Sequence, residues 1–137
     1  MPRRERRGGN AKAIPTTCPC GAGKPYADCC GPLHSARTTA TTAEQLMRSR
    51  YSAFAVQDAA YLEKTHHSST RPASVEFEPK LRWTGLEILG TTGGTAFHTD
   101  GTVEFIAHYT ESGRAGSMRE NSSFVREDGN WVYLSAL

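Results

Sequence analysis

All four cysteines of this chain fall within thirteen residues, as Cys18-Pro19-Cys20 and, after eight intervening residues, Cys29-Cys30. Four thiolates brought that close together suit one tetrahedral ion, and zinc is the usual occupant of such a set. Gly21 and Gly23 follow the first pair, where a freely turning backbone can aim N–H groups back at the sulfurs. Disulfides are the competing use of the same residues. A bridge within either pair would close a very small, strained ring, and no export signal is apparent that would take the chain to an oxidising compartment. Gly21-Ala22-Gly23-Lys24 does not make a phosphate loop, because Pro25 follows the lysine and no strand precedes the glycines. His34, four residues beyond Cys30, is an alternative ligand in place of one cysteine. With all four cysteines bound, no coordination position stays open, so the expected zinc is a structural staple.

A knuckle of this size is too small to be the whole fold, and the remaining chain must supply a core. The sequence has 137 residues, 37% of them hydrophobic, and the apolar ones concentrate after Thr41. That allows one ordinary domain behind the knuckle. No apolar run approaches the length of a membrane span, and the residues after Arg3-Arg4-Glu5-Arg6-Arg7 are not those of a secretory segment. The expected location is the cytoplasm. Net charge is +2, unevenly placed: Arg3, Arg4, Arg6, Arg7 and Lys12 against Glu5 make the start basic and leave the body mildly acidic. Residues 1–13 therefore read as a flexible basic arm. Any nucleic-acid contact would rest on that arm and be weak and salt-sensitive.

Residues 14–34 read as the knuckle and Arg37 to Ala40 as a short Thr-rich linker. A helix is expected from Thr41 or Thr42, with Glu44 or Gln45 completing a capping box. Met47, Tyr51, Phe54 and Ala55 form its apolar stripe, with Leu46 at the margin and Arg48 and Ser49 off it. Asp58 caps a second helix that ends near His66-His67. Val75, Phe77 and Leu81 sit on an irregular segment or a short helix. From Trp83 the periodicity changes to strands. Val103, Phe105, Ala107 and Tyr109 alternate with Glu104, Ile106, His108 and Thr110. Met118, Glu120, Ser122 and Phe124 share one side of the next strand, and Asp128-Gly129 signals a hairpin into a last strand from Trp131. Helices first and antiparallel strands afterwards define an α+β class, with helices laid on one face of a curved sheet.

The cysteine segment, with Gly21-Ala22-Gly23-Lys24 and Tyr26 between the pairs, resembles the SEC-C motif, the zinc knuckle found in the SecA translocase and in many small bacterial proteins. The resemblance assigns the ligand role to Cys18, Cys20, Cys29 and Cys30. The last ligand of that motif is often histidine; here it is Cys30. The chain from Cys18 to Leu134 resembles the YchJ family of uncharacterised bacterial proteins. The resemblance is carried by Ala43-Glu44-Gln45-Leu46-Met47-Arg48-Ser49-Arg50-Tyr51-Ser52-Ala53-Phe54, Ser69-Thr70-Arg71-Pro72, Val103-Glu104-Phe105 and Ser123 through Trp131. It implies a nuclear transport factor 2-like cone over residues 41–137, helices wrapped by a bent sheet, behind an N-terminal zinc knuckle. His67 stands where the family usually offers His-Pro, so the turn there is expected to differ.

Such cones commonly enclose a pocket. Arg50, Trp83, Glu104, His108 and Glu120 are its expected lining, with Glu104, His108 and Glu120 the catalytic candidates. Glu104 and His108 share a strand face but lie about 13 Å apart, too far to hold one metal. If the turn at Ser112-Gly113 sets Glu120 opposite Glu104, the paired carboxylates would raise one pKa and make a general acid or base. The simpler alternative places these side chains on a solvated face or against Arg48, Arg50 or Arg119. His66-His67, at a helix C-terminus, suits a structural or surface role. No Ser/His/Asp triad, dinucleotide fingerprint or H-E-x-x-H motif is present. Two functions follow. The favoured one is a protein-interaction adaptor whose zinc knuckle docks on a partner; the SEC-C resemblance suggests chaperone, translocation or ribosome-associated machinery. The alternative is a small-molecule binder or enzyme working in the cone.

Overall fold

The central helix begins where its sequence provides a cap. In the structure, a computed structural model that describes residues 16–137, the Thr42 side chain accepts from the Gln45 amide at 3.1 Å, and Gln45 Oε1 accepts from the Thr41 amide at 2.8 Å. This reciprocal cap satisfies amides that have no partner inside the helix. The basic arm expected over 1–13, its nucleic-acid contact, and the first two residues of the expected knuckle lie outside the described residues. The helices are α1 (Cys30–His34), α2 (Ala43–Val56) and α3 (Ala59–Lys64), and a 3-10 turn at Tyr26–Asp28 precedes α1. Gln57, in the left-handed region at φ 62°, ends α2. Asp58 then caps α3 by accepting from the Tyr61 amide at 3.0 Å. Among the described residues, no helix is long and apolar enough to cross a membrane.

Four antiparallel strands follow in the order β1-β2-β3-β4: β1 (Leu81–Gly93), β2 (Asp100–Glu111), β3 (Arg114–Glu127) and β4 (Asn130–Ala136). Ser112 and Gly113, both with positive φ (52° and 84°), form a two-residue hairpin turn that pairs Glu111 with Arg114. The turn fixes the register, since the primed two-residue turns match the twist of the strands they join. β1 carries irregularities at Trp83/Gly85 and Ile88/Gly90, and the β3–β4 pair carries one at Ser123/Phe124. Each extra residue bends its strand, which curls the sheet around α2.

The main core lies between that concave sheet and α2. Leu46, Met47 and Tyr51 meet Val103, Phe105, Phe124 and Trp131 there. The other side of α2 is covered as well. Ser49, Ser52 and Ala53 are all fully buried, although hydropathy alone leaves Ser49 off the buried stripe. Leu33 of α1 and Tyr61 and Leu62 of α3 pack with Ala53, and the Ser49 hydroxyl hydrogen-bonds the Tyr61 hydroxyl at 2.7 Å. Residues 71–80 form no helix. Val75 and Phe77 pack as irregular chain near Phe54.

The β1–β2 connection fastens the sheet to the start of α2. Gly94 O accepts from the Ala43 amide at 2.9 Å, and Gly94 adopts φ 73°. A Cβ at this position would lie 2.8 Å from the Ala43 Cβ, a methyl that cannot rotate away. Gly94→Ala is therefore expected to lower stability by about 2 kcal/mol through backbone strain and overlap, measured by chemical denaturation against the parent protein.

Candidate functional site

The knuckle is built from a tight loop folded back on itself. The Cys18 amide donates to Lys24 O at 2.9 Å, Gly21 N to Cys18 O at 3.3 Å, and Tyr26 N to Thr16 O at 2.9 Å. Gly21 and Gly23 take φ of 81° and 85°. The loop brings all four cysteine sulfurs within 4.8 Å of one another, with Cys20 and Cys29 Sγ 3.5 Å apart. Tetrahedral thiolate ligation at about 2.3 Å from a metal sets sulfurs roughly 3.8 Å apart, so the donor set fits a metal ion. Cys18, Cys20 and Cys30 are buried and Cys29 is half-buried, and none is disulfide-bonded. Without a cation the cluster cannot carry all its charges. Hydrogen bonds from Cys20 and Cys30 hold the Cys18 thiol well below its ordinary value. Hydrogen bonding within the cluster, then burial, pushes Cys30 far up, and burial with the Cys20 contact pushes Cys29 up to about 12. A divalent ion would stabilise the thiolates together and act as a cross-link between the loop and α1.

His34 is not part of this set. Its Nδ1 meets the Tyr26 hydroxyl at 2.6 Å, and its Nε2 donates to Ser49 O at 2.8 Å, so both ring nitrogens are committed to tying the knuckle to α2. Two further contacts join the same surfaces. Arg48 Nη1 donates to Cys20 O at 2.7 Å, and Cys18 Sγ lies 3.7 Å from Ser52 Oγ. Arg48 is steadied in turn by Glu44 one turn earlier, at 3.1 Å.

The cone is open. A cavity of about 430 Å³ lies between α2 and the concave face of the sheet, and Pro72, Ser74 and Glu76 are exposed along its lining. Arg50, Trp83 and Glu120 line it, as the sequence suggests; Glu104 and His108 do not. The register explains the division. Glu120 pairs with Phe105, and Glu104 pairs with Asn121. A one-residue difference in register moves a side chain to the opposite face, so the carboxylate pair expected from Glu104 and Glu120 does not form. On the convex face, Glu104 accepts from Arg119, whose Nη2 stands 2.8 Å away, and His108 contacts Glu87. Of the alternatives weighed for Glu104, the pairing with Arg119 is the one observed. Trp131 belongs to the core, and its Nε1 donates to Thr41 O at 3.2 Å.

His66 also lines the cavity, which a reading of His66-His67 as a terminal helix pair overlooks. No local signal marks it: His66 bridges to Tyr133 of β4, far along the chain, with rings 5.0 Å apart. His67 instead accepts from the Ser69 amide at 3.0 Å and lies 3.7 Å from Glu127. Burial, then the charges of Arg50 and Arg71, lowers the His66 pKa. Burial, with Glu120 adding to it, raises that of Tyr133.

A thiol-rich knuckle folded onto the central helix of a curved-sheet cone defines a class: a SEC-C motif joined to a nuclear transport factor 2-like domain. The sequence model for the SEC-C motif matches residues 16–32, and that for "YchJ, middle NTF2-like domain" matches residues 42–136. The chain belongs to the YchJ-like family. A UPF0225 protein of Streptomyces avermitilis is 55% identical over 120 residues, covering 88% of this chain and 83% of the relative. One from Ralstonia nicotianae is 45% identical over 136 residues, covering 90% and 92%. The solution structure of a SEC-C motif containing protein from Rhodopseudomonas palustris superposes with a TM-score of 0.76 at 34% identity, covering 88% of this chain and 97% of that one. A crystal structure of a SEC-C motif containing protein from Psychrobacter arcticus gives 0.72 at 28% identity, covering 89% and 82%.

Two outcomes follow. His34→Ala is expected to lower stability by about 2 kcal/mol, through loss of its two part-buried hydrogen bonds, while leaving the metal content per chain unchanged; melting and elemental analysis read the two effects separately. Because His66 binds its proton less readily in the fold than in the unfolded chain, stability falls as the pH drops below about 6.5. His66→Gln should reduce that fall in melts recorded across the range.

Proposed function

We propose that this protein binds a small organic molecule in its cone, and that a structural zinc ion in the four-cysteine knuckle clamps the N-terminal lobe to α2. The observation that supports the binding reading is the open cavity of about 430 Å³ that holds Arg50, His66 and Glu120 within an otherwise largely apolar wall. Ligand sites have this character: concave, mostly apolar, with a few polar groups converging. Zinc is favoured by the all-sulfur donor set, which suits a borderline-soft ion with tetrahedral preference. Such a site is closed to substrate, so any chemistry belongs to the cone.

The adaptor role for the knuckle gains less from the geometry. The knuckle's contacts through Cys18, Cys20 O and His34 are all directed at its own helix. Among the described residues, it turns outward the loop from Gly21 to Pro25, including Lys24, together with Ala27 and Asp28, and a chaperone, translocation or ribosome-associated partner would have to be recognised through such a surface.

The test has two arms. Purified protein should contain one zinc per chain, and removing it with a chelator or by Cys20→Ser should lower stability by about 3 kcal/mol, roughly 10 °C or more in Tm for a domain of this size. Protein that lacks zinc and melts unchanged in chelator counts against the clamp. In a thermal-shift screen of metabolites, at least one compound should raise the Tm of the parent but not of Met118→Trp, which narrows the cavity from its rim. Stabilisation that is indifferent to Met118→Trp places the ligand elsewhere.

A further inference from the structure

We propose that the cone takes an organic anion with an apolar body, and that the guanidinium of Arg50 anchors its negative end. This rests on the ligand-binding reading above and specifies its substrate class. Arg50 projects from the middle of α2 and is only 7% exposed, yet it lines the cavity beside Met47, Tyr51, Phe54 and Trp83. A cation taken out of water is costly unless something of opposite charge compensates it. Its protein partners are all neutral. Nη1 donates to Leu62 O at 2.9 Å and to Thr65 Oγ1 at 2.8 Å, and the guanidinium carbon lies 5.0 Å over the Tyr133 ring. Among the described residues, no carboxylate stands within 4.0 Å of it, and nothing accepts from Nε or Nη2. Burial lowers its pKa to about 10, which still leaves it protonated at neutral pH.

A side chain needed only to tie α2 to the end of α3 would use the Nη1 edge and no more. The second donor edge, left without a protein acceptor on the cavity lining, is the fork that carboxylate, sulfonate and phosphate oxygens match in pairs. The aromatic lining beside it calls for a flat apolar body, and the volume holds one or two rings. Glu120 and Glu76 also line the cavity. They disfavour a second negative group on the ligand and suit a hydrogen-bond donor away from its acidic end.

Isothermal titration of the full, metal-loaded protein with 2-naphthoate and with its uncharged isostere 2-naphthamide separates charge from shape. The naphthoate should bind about tenfold or more tightly than the amide, the range expected of a hydrogen-bonded charge. Arg50→Met should bind the two alike. Arg50→Lys, which keeps the charge but not the fork, should retain part of the preference, and it carries the test if Arg50→Met does not fold. Equal binding of both probes by the parent protein overturns the anion assignment and leaves the cavity a binding site. Failure of both probes to bind at millimolar concentration overturns the cavity reading together with it.

Discussion

Helix α2 is held from both sides, and the rest of the architecture depends on that. One flank carries Leu46, Met47 and Tyr51 into the sheet. The other meets the knuckle and α3 through Ser49, Ser52 and Ala53. Small residues on that flank let the knuckle approach closely, and the polar groups buried by the approach are all matched: Ser49 O by His34, Ser49 Oγ by Tyr61, and Cys20 O by Arg48. Buried polar groups that are fully satisfied specify one arrangement, because any slip leaves several of them unpaired at once. The knuckle is thus a second wall of the fold, set by hydrogen bonds more than by apolar area.

This arrangement links the metal site to the cavity. Ser49 and Arg50 are neighbours on α2, one facing the knuckle and the other the cone. A cation that holds the cysteine loop rigid also holds the surface on which α2 rests. Rotation of α2 would move Arg50 away from Leu62 O and Thr65 at the end of α3, where its Nη1 is now fixed. The zinc clamp proposed for the knuckle would therefore pre-position the cone's cationic group from the far side of a helix, without touching any ligand.

Much of this was legible in the residues. The cysteine spacing, the Thr42 and Asp58 caps, the alternation in β2 and the Asp128-Gly129 turn each state a local rule that the fold obeys. The buried second flank of α2 was not legible, because serines that face a partner lobe look the same in a hydropathy pattern as serines that face water. His66 was hidden for a related reason. Its place in the cavity depends on pairing with Tyr133, far along the chain, and no local periodicity reports such a contact.

The misplaced carboxylate pair shows how fine the distinction can be. The alternation in β2 and β3 divides the side chains of each strand between two faces, but it cannot say which residues of the two strands stand opposite each other. That is decided by the turn. With Ser112 and Gly113 alone in the loop, Glu111 must face Arg114, and counting inward from that pair sets Glu120 against Phe105. Glu120 then points into the cone among apolar groups, and Glu104 points outward to Arg119. Exposed ion pairs such as Glu104 with Arg119 contribute little energy. The concave face, by contrast, gathers Glu120, Glu76, His66 and the buried Arg50 guanidinium around one cavity.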